Sequence, residues 1–256
     1  MVKKMSVALL PRLIEASTTS IECAIVIDVL RATSVMTTAG KNGAKTIRTC
    51  GEIEIARQLA DQANTNDRPL LCGERSCVPI DGFDLGNSPA EYPPERVAGH
   101  HVLLTTTNGT KAIAAVADAE RLLIASFLNL AATVDSVTEH DELLIVCAGT
   151  DGKISAEDVL LAGAIVDRLM HHNPSCQLDD SARLALSTWR QASQNEGTVG
   201  DALRLSLGGS NLIKVGYEED IGRCAVIDSA AGVVERDQQQ PDERTVVFRW
   251  RGETVC

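Results

Sequence analysis

Asp28, Arg31, Thr33 and Ser34 stand within seven positions of one another in the stretch AIVIDVLRATS, directly after the apolar run Ala24 to Ile27. An apolar run that ends in a polar loop and then opens a helix reads as a buried strand with its carboxyl end at the chemistry. In an open α/β sheet, ligands bind outside such ends. A carboxylate there suits a hard cation, and a guanidinium three residues on suits an oxyanion. Asp28 and Arg31 are therefore candidate catalytic residues, with Asp28 also a candidate metal ligand. Thr33 and Ser34 are candidate hydroxyl donors to a substrate.

A second group follows the apolar stretch His101 to Leu104, where Thr105 to Thr110 read TTTNGT just ahead of a helix. One such residue suffices to cap a helix, whereas a run of them can surround tetrahedral oxygens with donors. Thr106, Thr107, Asn108, Gly109 and Thr110 are thus candidate substrate contacts. The irregular stretch Gly73 to Pro89, GERSCVPIDGFDLGNSP, is long for a loop inside a domain, and Ile80, Phe83 and Leu85 among its charges point to an ordered one. It offers Glu74 and Asp84, ahead of Asp81, as metal ligands and Arg75, Asn87 and Ser88 as anion contacts; solvated loop charges and a helix cap are the plain alternatives. Ser126 and Asn129 end a further strand and join the candidate substrate contacts.

CAGTDGKIS, Cys147 to Ser155, comes close to two phosphate-binding motifs and satisfies neither. A cysteine phosphatase loop needs a two-pronged Arg where Lys153 stands, and a P-loop needs more length and a following Ser or Thr. Lys153 remains a candidate anion contact, while Cys147 has no motif to make it a nucleophile. Glu157 and Asp158 near the start of the next helix fit helix-dipole charges by default and a metal site as the alternative, with Asp158 the candidate ligand. A haloacid-dehalogenase arrangement needs a second Asp two residues after Asp28, where Leu30 stands.

These residues need a scaffold, and the pattern of apolar strand, small polar turn and helix recurs four times, which lines up the turns and helix N-termini along a sheet edge. Strands are expected over 5–10, 24–27, 45–50, 69–72, 101–104, 121–125 and 143–147. Helices are expected over 34–39, stopped by Gly40, and over 52–63, 111–117, 130–137, 156–170, 182–192 and 200–207, the last before a Gly208-Gly209 break. Residues 217–228 suit either a helix or a helix running into a strand. The tail offers antiparallel strands over 232–235 and 245–250, with 237–243 an exposed polar loop lacking site character. The fold class is α/β, a layered α/β/α arrangement with a mostly parallel or mixed sheet. Residues 1–256 form a single unit or two closely packed lobes.

Hydrophobic residues make up 44% and aromatics 3%, so Leu, Ile, Val and Ala must fill the core and base stacking is excluded as a binding mode. A net charge of −11 argues against nucleic acid, which demands a field of Lys and Arg. No apolar run approaches a membrane span, and Ser6 to Leu10 is too short for a secretory segment. The cysteines include no CxxC pair and several lie in apolar runs, as reduced thiols of a cytoplasmic protein do. The expected partner is a small anionic substrate, with self-association open.

With VIDVLRATS, GER followed after six residues by GFDLGNSP, then TTTNGT, ASFLN and CAG followed by EDVLLAG, the chain resembles the 2-phosphosulfolactate phosphatase family from about Ala24 to Asp228. The resemblance implies a magnesium-dependent acid phosphatase of coenzyme M biosynthesis, hydrolysing the phosphate ester of a sulfolactate on an α/β fold of its own. A magnesium ion on carboxylates agrees with Asp28, Glu74, Asp84 and Asp158. A phosphatase of another small phosphorylated acid and a non-catalytic anion-binding protein are the alternatives.

Overall fold

Every residue of Cys23–Ile27 (β2) is buried, and its β-branched Ile25, Val26 and Ile27 suit a strand covered on both faces. β2 lies parallel between β7 (Arg121–Ala125) and β8 (Glu142–Cys147), and β1 (Lys4–Ala8) and β9 (Gln177–Leu178) extend the same parallel set. The structure, a computed structural model, describes residues 1–14, 20–64, 67–194, 197–238 and 244–254. A second parallel set comprises β3 (Thr46–Thr49), β6 (His101–Thr105) and β4 (Leu70–Arg75), with the two-residue β5 (Val78–Pro79) antiparallel at its rim.

The two sets are joined by a hairpin of β10 (Gly232–Arg236) and β11 (Val246–Gly252), giving the order β5-β4-β6-β3-β11-β10-β7-β2-β8-β1-β9. All three junctions across the hairpin, β7 to β10, β10 to β11 and β11 to β3, are antiparallel. Three reversals set the strands of one half against those of the other, so in a flat sheet their carboxyl ends would lie at opposite edges. Strand twist accumulates over the intervening strands, and the sheet curls. Helix α1 (Ala32–Lys41) sits in the hollow, touching β7, β10, β11 and β3. One apolar cluster there gathers Val26 of β2, Ile47 of β3, Leu104 of β6 and Phe248 of β11 around Val35 and Met36 of α1, with Ile113 of α4 (Gly109–Ala114).

The outer faces carry the remaining layers. Ile25 and Ile27 point to a cluster built with α5 (Leu130–Val137), α6 (Ala156–His172) and α7 (Asp180–Gln194), while Leu71 and Leu103 pack on Ala56 and Ala60 of α2 (Ile53–Gln62). The short α3 (Pro94–Val97) precedes β6, and α8 (Val199–Arg204), α9 (Leu207–Lys214) and α10 (Glu218–Cys224) follow α7. The fold is a layered α/β/α arrangement on a mixed sheet.

Several local expectations are corrected. Helix α1 runs through Gly40, where a Cβ would stand 3.1 Å from the Trp250 ring, so this glycine serves close packing and not termination. Gly208 and Gly209 lie inside α9, and a Cβ on Gly209 would meet the Leu203 carbonyl oxygen at 2.0 Å. The ambiguous 217–228 stretch is helical over Glu218–Cys224. Asp237 is buried and ion-paired to Arg249 at 2.5 Å rather than exposed; residues 239–243 of that loop, like 15–19 of the connection before β2, fall outside the described residues.

Candidate active site

The loop after β2 is closed by its own hydroxyls. Thr33 Oγ1 donates to the Asp28 carbonyl at 2.9 Å and accepts the Asp28 N–H at 3.1 Å, and Ser34 Oγ donates to the Val29 carbonyl at 2.8 Å. Both residues are fully buried, so they shape the loop and do not reach the cleft. What they shape is the position of Asp28, whose Oδ1 accepts the Ala32 N–H at 3.2 Å. The Gly109 N–H adds a second bond, and a Cβ there would lie 2.8 Å from both Asp28 Oδ2 and Ala32 Cβ, so only glycine brings α4 this close. Burial pushes the Asp28 carboxyl up to about 7 against the pull of the Ala32 N–H, and the negative charges of Glu74 and Glu157 push the same way.

Glu74 comes from the other half of the sheet. Its Oε1 accepts the Thr107 N–H and its Oε2 the Cys77 N–H, each at 2.8 Å, which ties the turn after β4 to the turn after β6. Arg31 completes the junction. Its Nη1 donates to Asp220 Oδ2 at 2.6 Å, its Nη2 to the Cys77 carbonyl at 3.0 Å, and its Cζ lies 4.4 Å from the Tyr217 ring centroid. The Arg31 and Asp220 side chains are each 2% exposed, and the other Asp220 oxygen accepts Ser88 Oγ at 2.7 Å. A buried guanidinium needs a partner of this quality, and it still has N–H donors free for a ligand.

Around these groups lies a cleft of about 260 Å³, to which Asp28, Arg31, Glu74, Asn87, Thr107 and Asn108 contribute from loops at strand ends. Asp151 reaches it from the loop after β8, and Asn211 and Lys214 from α9. Three buried oxygens in and beside it, Asn87 Oδ1, Thr107 Oγ1 and Glu157 Oε2, lack a hydrogen-bond partner. Burial raises the Glu157 carboxyl above its ordinary range. Among the described residues no group of three or more His, Cys, Asp or Glu side chains could hold a metal by itself. A magnesium ion takes one or two carboxylates and fills its remaining positions with water and substrate oxygens, so Asp28 together with the orphaned hard oxygens fits one.

Other expected contacts lie elsewhere. Asp84 Oδ2 accepts the Leu71 N–H at 2.8 Å and Arg68 Nη1 at 3.2 Å, on the outer side of β4. Asp158 spends both oxygens on the N–H groups of Val29 and Gly149, each at 2.9 Å, and so ties two loops together behind Asp28. Arg75 spans the Glu74 and Gly51 carbonyls and Thr105 Oγ1. Thr106 and Thr110 bond each other across the first turn of α4, and Ser126 and Asn129 form a buried capping box. Lys153 is exposed on a tight turn with Thr150, outside the cleft lining. Cys147 is fully buried, its thiol pushed well above the ordinary value by burial. The residues brought together are thus Asp28, Arg31, Glu74, Asn87, Thr107, Asn108 and Gly109, with Ser88 held behind them. Sequence reasoning left out Asn211, Lys214, Tyr217 and Asp220, and took Glu157 as a helix-dipole charge by default with a metal site as the alternative.

A mixed α/β sheet whose strand-end loops bring carboxylates, orphaned hard oxygens and an immobilised guanidinium into one cleft has the architecture of an α/β enzyme. The family described as 2-phosphosulpholactate phosphatase matches residues 8–239, and the chain belongs to that family. It is 41% identical over 210 residues to a probable 2-phosphosulfolactate phosphatase of Thermotoga petrophila, covering 81% of this chain and 87% of the relative. A protein of the same name from Caldanaerobacter subterraneus subsp. tengcongensis is 40% identical over 205 residues, with 80% and 83% covered. One from a Synechococcus species is 35% identical over 224 residues, with 85% and 90% covered.

Proposed function

We propose that the chain hydrolyses 2-phospho-3-sulfolactate to 3-sulfolactate and inorganic phosphate with a magnesium ion bound in the cleft. The P–O ester bond breaks, the oxygen of water joins phosphorus, and a proton from that water passes to the departing alkoxide. The observation that carries this reading, beside family membership, is the cleft's charge. Asp28, Glu74 and Asp151 line it against Arg31 and Lys214, and the Arg31 charge is already matched by Asp220. A substrate bearing phosphate, sulfonate and carboxylate would be repelled from such a wall without a further cation.

Asp28, Glu157 Oε2, Asn87 Oδ1 and Thr107 Oγ1 would hold the magnesium ion, which supplies charge neutralisation at the phosphoryl oxygens. Asp28 is held for that task by the Ala32 and Gly109 N–H groups, and Glu74 fixes the Thr107 backbone. The free N–H donors of Arg31 address a phosphoryl oxygen, and the Asp220 pair and the Tyr217 ring keep the guanidinium from swinging away. The free cysteines support placing the enzyme in a reducing cytoplasm.

The experiment is phosphate release from paired phosphate esters with and without the sulfonate, in magnesium and in chelator. Release that requires magnesium and favours the sulfonated ester is expected. Equal turnover of both esters would point to another small phosphorylated acid, and tight binding without release to an anion-binding protein.

A further inference from the structure

We infer that Lys214, at the far end of α9, is the residue that selects for the sulfonate of the substrate. The inference rests on the phosphatase reading above and extends it to the part of the substrate that does not react.

Gly208, Asn211 and Lys214 are spaced three residues apart and all line the cleft, so one face of α9 forms its wall. At the near end, a Cβ on Gly208 would lie 2.0 Å from Glu157 Oε1, which fixes this part of the helix against the acidic side where the phosphoryl group belongs. Six residues of helix then carry the chain about 9 Å along the cleft to Lys214. In the substrate, carboxylate and phosphate ester share one carbon, and the sulfonate sits on the next. It is the anionic group that extends away from the phosphoryl end. A lysine side chain reaching back from that distance meets it.

The charges leave Lys214 for this task. Arg31 is engaged with Asp220 and the Cys77 carbonyl, Arg75 with two carbonyls and a hydroxyl, and Lys153 lies outside the lining. Lys214 is exposed and has no ion-pair or hydrogen-bond partner among the described residues. Asn211, one turn earlier on the same face, can donate its amide to a second sulfonate oxygen.

The test is the kcat/KM of wild type, Lys214→Met and Lys214→Arg on 2-phospho-3-sulfolactate and on 2-phospholactate, which lacks the sulfonate. Wild type failing on both esters would sink the phosphatase reading itself. With that reading intact, Lys214→Met is expected to lose about tenfold or more on the sulfonated ester, chiefly through KM, and much less on 2-phospholactate, with Lys214→Arg restoring most of the difference. Equal losses on both esters would assign the lysine to the carboxylate or phosphate, and no loss on either would place it outside recognition. Either result overturns the inference. The side chain is exposed, so the substitution leaves the fold in place.

Discussion

Asp28 is an acid that the fold holds partly against its charge. Because its carboxyl rises from 3.8 to about 7 on burial, the folded chain binds its proton more tightly than the unfolded chain does. That contribution to stability is fully present below pH about 4 and disappears as pH rises through about 7. Asp28→Asn has no such proton to lose, so in chelator it should become more stable than wild type across that interval, with equal stability in acid. Urea titrations at several pH values check this, and magnesium should close the gap by favouring the carboxylate. Magnesium-dependent phosphate release should vanish in the same variant; near-normal release would remove Asp28 from the site. Arg31→Lys should lower kcat/KM by roughly 30-fold, about 2 kcal/mol, since an ammonium cannot reproduce bonds to Asp220, Cys77 and a phosphoryl oxygen together. Asp220→Ala should cost about 3–5 kcal/mol of stability, because it strands that guanidinium without its partner. Cys147→Ser should keep most activity and the Cys147 thiol itself should resist alkylation, since it is fully buried at the end of β8. Asp28 and Arg31 could be read in the sequence because an apolar run delivers them to a strand end. Thr33, Ser34, Thr106 and Thr110 looked like anion donors for the same reason, yet short hydroxyl side chains at loop and helix starts bond first to their own backbone.

At the scale of elements, the strands with their following helices were legible because periodicity is local, and the role of α9 and α10 was not. Asn211, Lys214, Tyr217 and Asp220 carry the spacing of an ordinary solvated helix face, and only their fold across the Arg31 loop gives them a site to serve. Gly40 and the Gly208-Gly209 pair were misread similarly, as a stop and a break, and both lie inside helices. Gly163, in the middle of α6, would look like a propensity defect, and Ala should then stabilise by about 1 kcal/mol. A Cβ there would instead lie 2.1 Å from the Ala185 carbonyl oxygen and 2.7 Å from Trp189 Cβ, so α6 and α7 approach through this position. Gly163→Ala is expected to destabilise by about 1–3 kcal/mol in urea unfolding. A gain in stability would show that the two helices can part without loss.

For the whole molecule, the decisive contact is the one between halves. Phe248 is fully buried in the cluster that joins Val26, Ile47 and Leu104 from strands on both sides of the hairpin. Phe248→Ala should cost about 3–5 kcal/mol and weaken the cleft, whose Glu74 and Asp28 come from different halves; a variant unfolding at the wild-type urea midpoint would contradict this. Nothing in the sequence near β3 announces that its neighbour is a strand some 200 positions later, since strand pairing at such separation leaves no local pattern. That separation also sets the order of events at the ribosome. β3 and β7 emerge long before the hairpin that fills the space between them, and each waits with an unpaired edge. Synthesis that stops before β11 therefore leaves every cleft residue made and the sheet still divided, with two adhesive strand edges open to other chains.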